Sequence, residues 1–165
     1  MPSASVSRTI AVPRQKVWAA LSDVAGARAW NASWSQIELT SKQTHGAGTR
    51  FRAHTADGDA FDFEVTTWIA PEEIAFSPLR DEAERYGIML ESHTFRLKEV
   101  GEDKTAVELT ARASAHGIRG RFVAQFFWRG FQRHGLEEAL SGLQDVFEPP
   151  EDEAETVAEA TLANE

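Results

Sequence analysis

No cysteine occurs among the 165 residues. Disulfides, thiol nucleophiles and zinc-thiolate sites are therefore excluded. Long apolar runs are missing as well, and none approaches the ~20 residues of a membrane-spanning helix. The opening segment, Met1 to Arg8, has no apolar signal core, so a cytoplasmic location is expected rather than secretion. Basic charge is scarce. Lys and Arg number 17 against 26 Asp and Glu, a formal net charge of −9. Affinity for nucleic acid comes largely from a basic surface that displaces counterions. This chain has no such excess, and nucleic acid is not an expected partner.

The acidic excess is local. Glu151, Asp152, Glu153, Glu155, Glu159 and Glu165 share the last stretch with no base, leaving 20 acids against 17 bases in the rest. Pro149-Pro150 ends the preceding helix, because proline lacks an amide hydrogen and disfavours helix before it. The expected organisation is one domain over residues 1–148 and an acidic, disordered tail over 149–165. An electrostatic contact of the tail with a basic partner is the alternative.

Sharp catalytic motifs are also absent. There is no Gly-x-Ser-x-Gly elbow, no Walker A loop, no Gly-x-Gly-x-x-Gly and no His-Glu-x-x-His. Hydrolase, nucleotidase, dinucleotide-dependent and metal-site readings have no support, and no cofactor is expected. Gly46-Ala47-Gly48 precedes a strand rather than a helix, so no helix N-terminus is offered to an anion.

What the chain does have is aromatic residues, ten Phe, five Trp and one Tyr, and clear periodicity. Val6 to Val12 reads as a strand with Val6, Arg8, Ile10 and Val12 on one face. Pro13 opens a short helix carrying Val17, Trp18 and Leu21. A second short helix is expected over Asp23 to Trp30. Period-two alternation then predicts strands over 35–41, 48–55, 61–69, 73–77, 87–99 and 105–115. Asp57-Gly58 marks a hairpin. In the fourth of the seven strands, Phe61, Phe63, Val65, Thr67 and Ile69 share a face. In the sixth, Met89, Glu91, His93, Phe95 and Leu97 do. A long helix follows over about 119–147, with Leu136, Leu140, Leu143 and Phe147 as its apolar stripe. Consecutive strands without intervening helices predict an α+β fold built on an antiparallel meander.

Several segments together resemble a known superfamily. They are Val6 to Pro13 with Val17-Trp18, then Trp30, Gly46-Ala47-Gly48, Trp68-Ile69-Ala70-Pro71, and His93 to Leu97 before a Gly-acidic turn. The chain is similar in these to the SRPBCC (START-like, Bet v 1-like) superfamily, especially its polyketide cyclase/dehydrase and lipid-transport branch. The resemblance covers about residues 4–148. It implies the helix-grip fold, a curved antiparallel sheet of about seven strands wrapped around a long C-terminal helix, with two short helices after the first strand. It also implies a cavity for a hydrophobic molecule between sheet and helix.

Within that frame Trp30, Phe51, Phe63, Met89, Phe95, Phe127 and Phe131 are the candidate apolar lining; packing in the core is the plainer reading of each. Glu91 and His93 are the candidate polar pair, orienting a ligand carbonyl or hydroxyl or moving protons. Otherwise they lie at a wet strand end. His134 is a candidate to point into the same cavity or to lie on the surface. Arg112, Arg119, Arg121, Arg129 and Arg133 either snorkel around the long helix or form a basic rim for an acidic ligand head. The first expectation is a binder or carrier of a lipid, polyketide or aromatic metabolite. Burial of ~300 Å² of apolar ligand would supply roughly 7 kcal/mol. A cyclase/aromatase-like enzyme using Glu91 or His93 is the alternative, and a co-chaperone-like interaction module is the third. No stable membrane insertion is expected. Trp128 and the alternate helix face could support a homodimer.

Overall fold

Alternating side chains create a sheet with one dry face, and that face needs a cover. A computed structural model describes residues 2–79, 84–85, 88–124 and 128–148, without the side chains of residues 84, 85, 129 and 131. The elements are β1 (Ser3–Ile10), α1 (Arg14–Ser22), a 3₁₀ turn (Ala27–Ala29), β2 (Trp34–Leu39), β3 (Arg50–Thr55), β4 (Ala60–Ile69) and β5 (Glu73–Pro78). They continue with β6 (Glu84–Arg85), β7 (Ile88–Gly101), β8 (Lys104–Ala115), α2 (Gly117–Val123) and α3 (Arg129–Phe147). All seven expected strands form. They make one antiparallel sheet in the order β1-β8-β7-β5-β4-β3-β2, with the two-residue β6 pairing on β7. From β2 to β8 the sheet is a meander; only β1 joins out of sequence, against β8. Helix α3 packs on β1 and β8, which is the helix-grip arrangement of an α+β fold.

The stripe on α3 behaves as its spacing dictates. Leu136, Leu140 and Leu143 are buried against the sheet, and Phe147 is half-buried. Opposite them lie Val6 and Ile10 of β1 and Val107, Leu109, Ala111 and Ala113 of β8, all buried. On the outer face of the sheet, Arg50 pairs with Glu64 at 2.7 Å, Arg52 with Asp62 at 2.8 Å and Arg96 with Glu73 at 2.8 Å. These cross-strand pairs occupy the polar positions that alternation assigns to solvent.

One expectation is corrected. The second short helix is a 3₁₀ turn over Ala27–Ala29 only, shorter than the expected Asp23 to Trp30. The long helix is described over Gly117–Val123 and Arg129–Phe147. Residues 125–127, Phe127 among them, lie outside the described residues, as does the acidic tail.

The C-terminal end of α3 is fastened to β1. Arg8, on the inner face as its parity requires, donates to Gln144 Oε1 at 2.9 Å. Gln144 Nε2 donates to Glu148 Oε2 at 2.7 Å, and the Ala11 amide donates to Glu148 Oε1 at 2.6 Å. The Gln144 and Ala11 hydrogen bonds hold the Glu148 carboxyl below its ordinary value of 4.5. A depressed carboxylate stabilises the fold above its unfolded pKa and loses that contribution as pH falls through its folded pKa. Glu148→Ala is therefore expected to speed hydrogen exchange at the Ala11 amide near neutral pH. Its stability cost should be no more than about 1 kcal/mol, because the group is solvent-screened. Unchanged exchange at Ala11 would show that the fastening carries no weight.

Candidate functional site

Three β-bulges decide which side chains reach the interior. A bulge inserts one extra residue and so reverses the parity of everything beyond it. In β7 the register shifts between Leu90 and Ser92. Beyond it His93 faces Ala111, Phe95 faces Leu109 and Leu97 faces Val107, all on the inner face. Before it Leu90 pairs with Ala113 and Met89 with Ser114. Met89 is thus on the opposite face from His93, and Glu91 is the bulge residue. In β4 a shift between Val65 and Thr67 brings Trp68 opposite buried Ile74 and sends Ile69 to solvent, 53% exposed. In β2 a shift between Trp34 and Gln36 turns Trp34 inward together with Ile37.

The inward aromatics form a continuous cluster. Trp30 meets Phe95 edge-on at 5.4 Å and Trp34 at 5.9 Å. Trp34 meets Phe63 at 5.8 Å, and Phe76 meets Phe95 edge-on at 6.1 Å. These separations are in the range where ring quadrupoles attract. Phe51 stacks on Phe63 at 5.4 Å from below and is fully buried, so it supports the cluster without facing open space.

Above the cluster is a cavity of about 190 Å³. The sheet supplies Phe63, Phe76, His93, Phe95 and Leu109. The segment after the 3₁₀ turn supplies Trp30, Asn31, Ser33 and Trp34, and α3 supplies Gln132, Gly135, Leu136 and Ala139. Two local features shape its mouth. Asn31 Oδ1 accepts from the Ser33 amide at 3.2 Å and from the Ser33 hydroxyl at 2.5 Å, which fixes the segment as a turn. Gly142 of α3 lies directly against the Trp30 carbonyl, where a Cβ would stand 2.1 Å from the oxygen.

His93 is the titratable group of this cavity. Its exposed surface faces the cavity and protein surrounds it, so desolvation pushes its pKa from 6.5 to about 4. At neutral pH the imidazole is uncharged, and no hydrogen bond to it exists among the described residues. The Trp30 indole N–H is likewise buried without a partner among them.

Of the residues expected at a site, Trp30, Phe63, His93 and Phe95 line the cavity together. Met89 and Phe51 do not, for the reasons of parity and depth given above. Glu91 does not line it either and makes no hydrogen bond to His93, because the bulge takes it out of register. His134 points to solvent, its side chain 77% exposed with Nε2 3.4 Å from Glu138. It lies off the Leu136-Leu140-Leu143 stripe that meets the sheet. The expected roles of Phe127 and of the Phe131 side chain fall outside the described residues. Arg112, Arg119, Arg121 and Arg133 are exposed and none lines the cavity; Arg133 pairs with Glu137 at 2.8 Å. Alternation alone does not place Trp34, whose inward turn depends on the β2 bulge; Phe76 of β5 joins it in lining the cavity. Among the described residues no cluster of His, Asp and Glu could hold a metal ion, and no helix is long and apolar enough to cross a membrane.

A family model described as polyketide cyclase / dehydrase and lipid transport matches residues 1–148. Comparison with curated proteins found no match. Among solved structures the chain is similar to the protein XoxI from Bacillus cereus, at 18% identity and a TM-score of 0.69, covering 90% of this chain and 97% of that one. A START superfamily protein from Mycobacterium smegmatis matches at 14% identity and a TM-score of 0.66, covering 88% and 97%. The Aha1 dimer from Colwellia psychrerythraea matches at 18% identity and a TM-score of 0.62, covering 92% and 99%. At these identities the structural likeness speaks to fold.

Proposed function

Because the chain belongs to the polyketide cyclase/dehydrase and lipid-transport family, we propose that it binds a small ring-containing apolar compound between sheet and α3. The observation that carries this reading is the aromatic-walled cavity itself. Dry, well-packed interiors leave few voids larger than a water molecule. A space of about 190 Å³ edged by Trp30, Trp34, Phe63, Phe76 and Phe95 is therefore a feature to explain. It is below the ~300–1,000 Å³ of pockets for drug-sized ligands and close to the ~150 Å³ of a cavity that admits benzene. A single ring matches that volume, and a whole acyl lipid exceeds it. That lowers the expected affinity. Burial of ~200 Å² at ~25 cal/mol per Å² supplies about 5 kcal/mol, a dissociation constant of the order of 0.1–1 mM.

Binding is favoured over turnover by the state of His93. A general base works best with a pKa near the working pH, and a histidine at about 4 is a weak one. Glu91, the expected partner in proton transfer, stands outside the cavity. Orientation of a ligand hydroxyl or carbonyl by the neutral imidazole, Gln132 and Asn31 suits the geometry better.

Calorimetric titration with phenethyl alcohol tests the reading. Saturable binding is expected. Ala139→Phe places a ring where α3 borders the cavity and should weaken binding about tenfold or more. A thermal melt of the variant checks that it remains folded. Absence of binding to the wild type, or equal binding to a folded Ala139→Phe variant, would overturn the proposal.

A further inference from the structure

The proposed cavity has a particular approach. A groove of about 520 Å³ runs along the outside of α3, between it and the segment Asn31–Ser33. Asn31, Ser33, Gly135 and Ala139 line both groove and cavity. The small side chains at positions 135 and 139 leave the passage between them low. Glu138 and Asp145 stand on the rim, both exposed. Among the described residues, those lining groove and cavity include no lysine or arginine. His93, the ionisable group inside, is neutral. His134 lies 3.4 Å from Glu138, and Arg133 is engaged with Glu137 on the same helix.

From this distribution we infer that the site selects amines over acids: its preferred ligand is a small aryl compound with a protonated amine, ring inward and ammonium at the Glu138–Asp145 rim. The inference rests on the cavity reading above and adds the charge of the ligand to it. A carboxylate or phosphate entering this way meets two like charges and, among the described residues, no lining cation, and would be desolvated without a partner. An ammonium at the rim is instead attracted by both carboxylates. The exposed position of both acids sets the size of the effect. Two solvent-screened attractions together give a preference of about fivefold, and added salt shrinks it.

Three probes of one shape and different charge test it: phenethylamine, phenethyl alcohol and hydrocinnamate. The titrations are run at low ionic strength and about pH 8, where an alkyl amine is protonated and a carboxylate ionised. The expected order is amine, then alcohol about fivefold weaker, then carboxylate weakest. Glu138→Gln with Asp145→Asn should bring the amine to the level of the alcohol and leave the alcohol unchanged. The inference is overturned if hydrocinnamate binds as tightly as phenethylamine, or if the amine keeps its advantage in the double variant. Alcohol binding without amine preference would remove this inference alone. Failure of the alcohol itself to bind would remove the cavity reading and this inference with it.

Discussion

Gly142→Ala is expected to cost about 3 kcal/mol of stability, although alanine is the better helix former. In an exposed helix the exchange gains ~1 kcal/mol. Here the new Cβ would stand 2.1 Å from the Trp30 carbonyl oxygen and 3.1 Å from its carbon, both of them backbone atoms. Backbone cannot swing aside as a side chain tip can. Either α3 or the Trp30 segment must move by more than 1 Å, and overpacking of this kind typically costs ~1–3 kcal/mol or somewhat more. The Trp30 segment forms one wall of the cavity, so its displacement should also abolish phenethyl alcohol binding. Gly135→Ala is the matched control. No described atom lies within 4 Å of its would-be Cβ, and the position is exposed. That variant should be more stable by about 1 kcal/mol. Chemical denaturation of both variants decides the matter. Equal responses at the two glycines would mean that the contact between α3 and Trp30 is not tight.

Much of the fold was legible because strands and helices announce themselves by period. The expected seven strands form, Asp57-Gly58 does make a hairpin turn with Gly58 at φ 89°, and the leucine stripe on α3 is buried as its spacing requires. The helix-grip class followed from the order of these elements and from the resemblance. What periodicity could not supply was the position of the bulges. Glu91 and Met89 were placed with His93 by strict alternation, yet a single extra residue moved both off that face. Ile69 was placed inward and Trp68 overlooked for the same reason. Bulges are set by how two strands pair, which one strand's sequence does not contain. The site was therefore readable where it lay on the unshifted stretch from His93 to Phe95 and unreadable where a bulge intervened, as at Trp34. His134 failed differently. Its place on the long helix does not by itself say which way it faces, and the face that meets the sheet is the one carrying Leu136, Leu140 and Leu143.

His93 makes the sharpest solution prediction. Its pKa stands at about 4 in the fold against 6.5 for an ordinary histidine. Between these values the unfolded chain binds more protons than the folded one, so stability must rise with pH across that window. The contribution is complete above about 6.5, declines as pH falls, and is fully lost below about 4. At ~1.4 kcal/mol per pKa unit the loss amounts to about 3 kcal/mol. Other groups also respond to acid, Glu148 among them, so the wild type alone does not isolate the effect. His93→Phe does, because a phenyl ring beside Phe76 and Phe95 has nothing to protonate. Denaturation midpoints of the two proteins should diverge as pH is lowered from 7 to 4.5, with the wild type falling faster. Parallel decline would mean that His93 is not desolvated. The same reasoning extends to binding. A ring entering the cavity covers the imidazole further and opposes its protonation, so ligand and acid compete. Affinity for phenethyl alcohol should hold constant down to about pH 5 and fall only as the pH reaches the folded-state value of about 4 and below. A site kept uncharged in this way suits an apolar ring at neutral pH, and leaves the sign of the ligand's charge to be chosen at the rim.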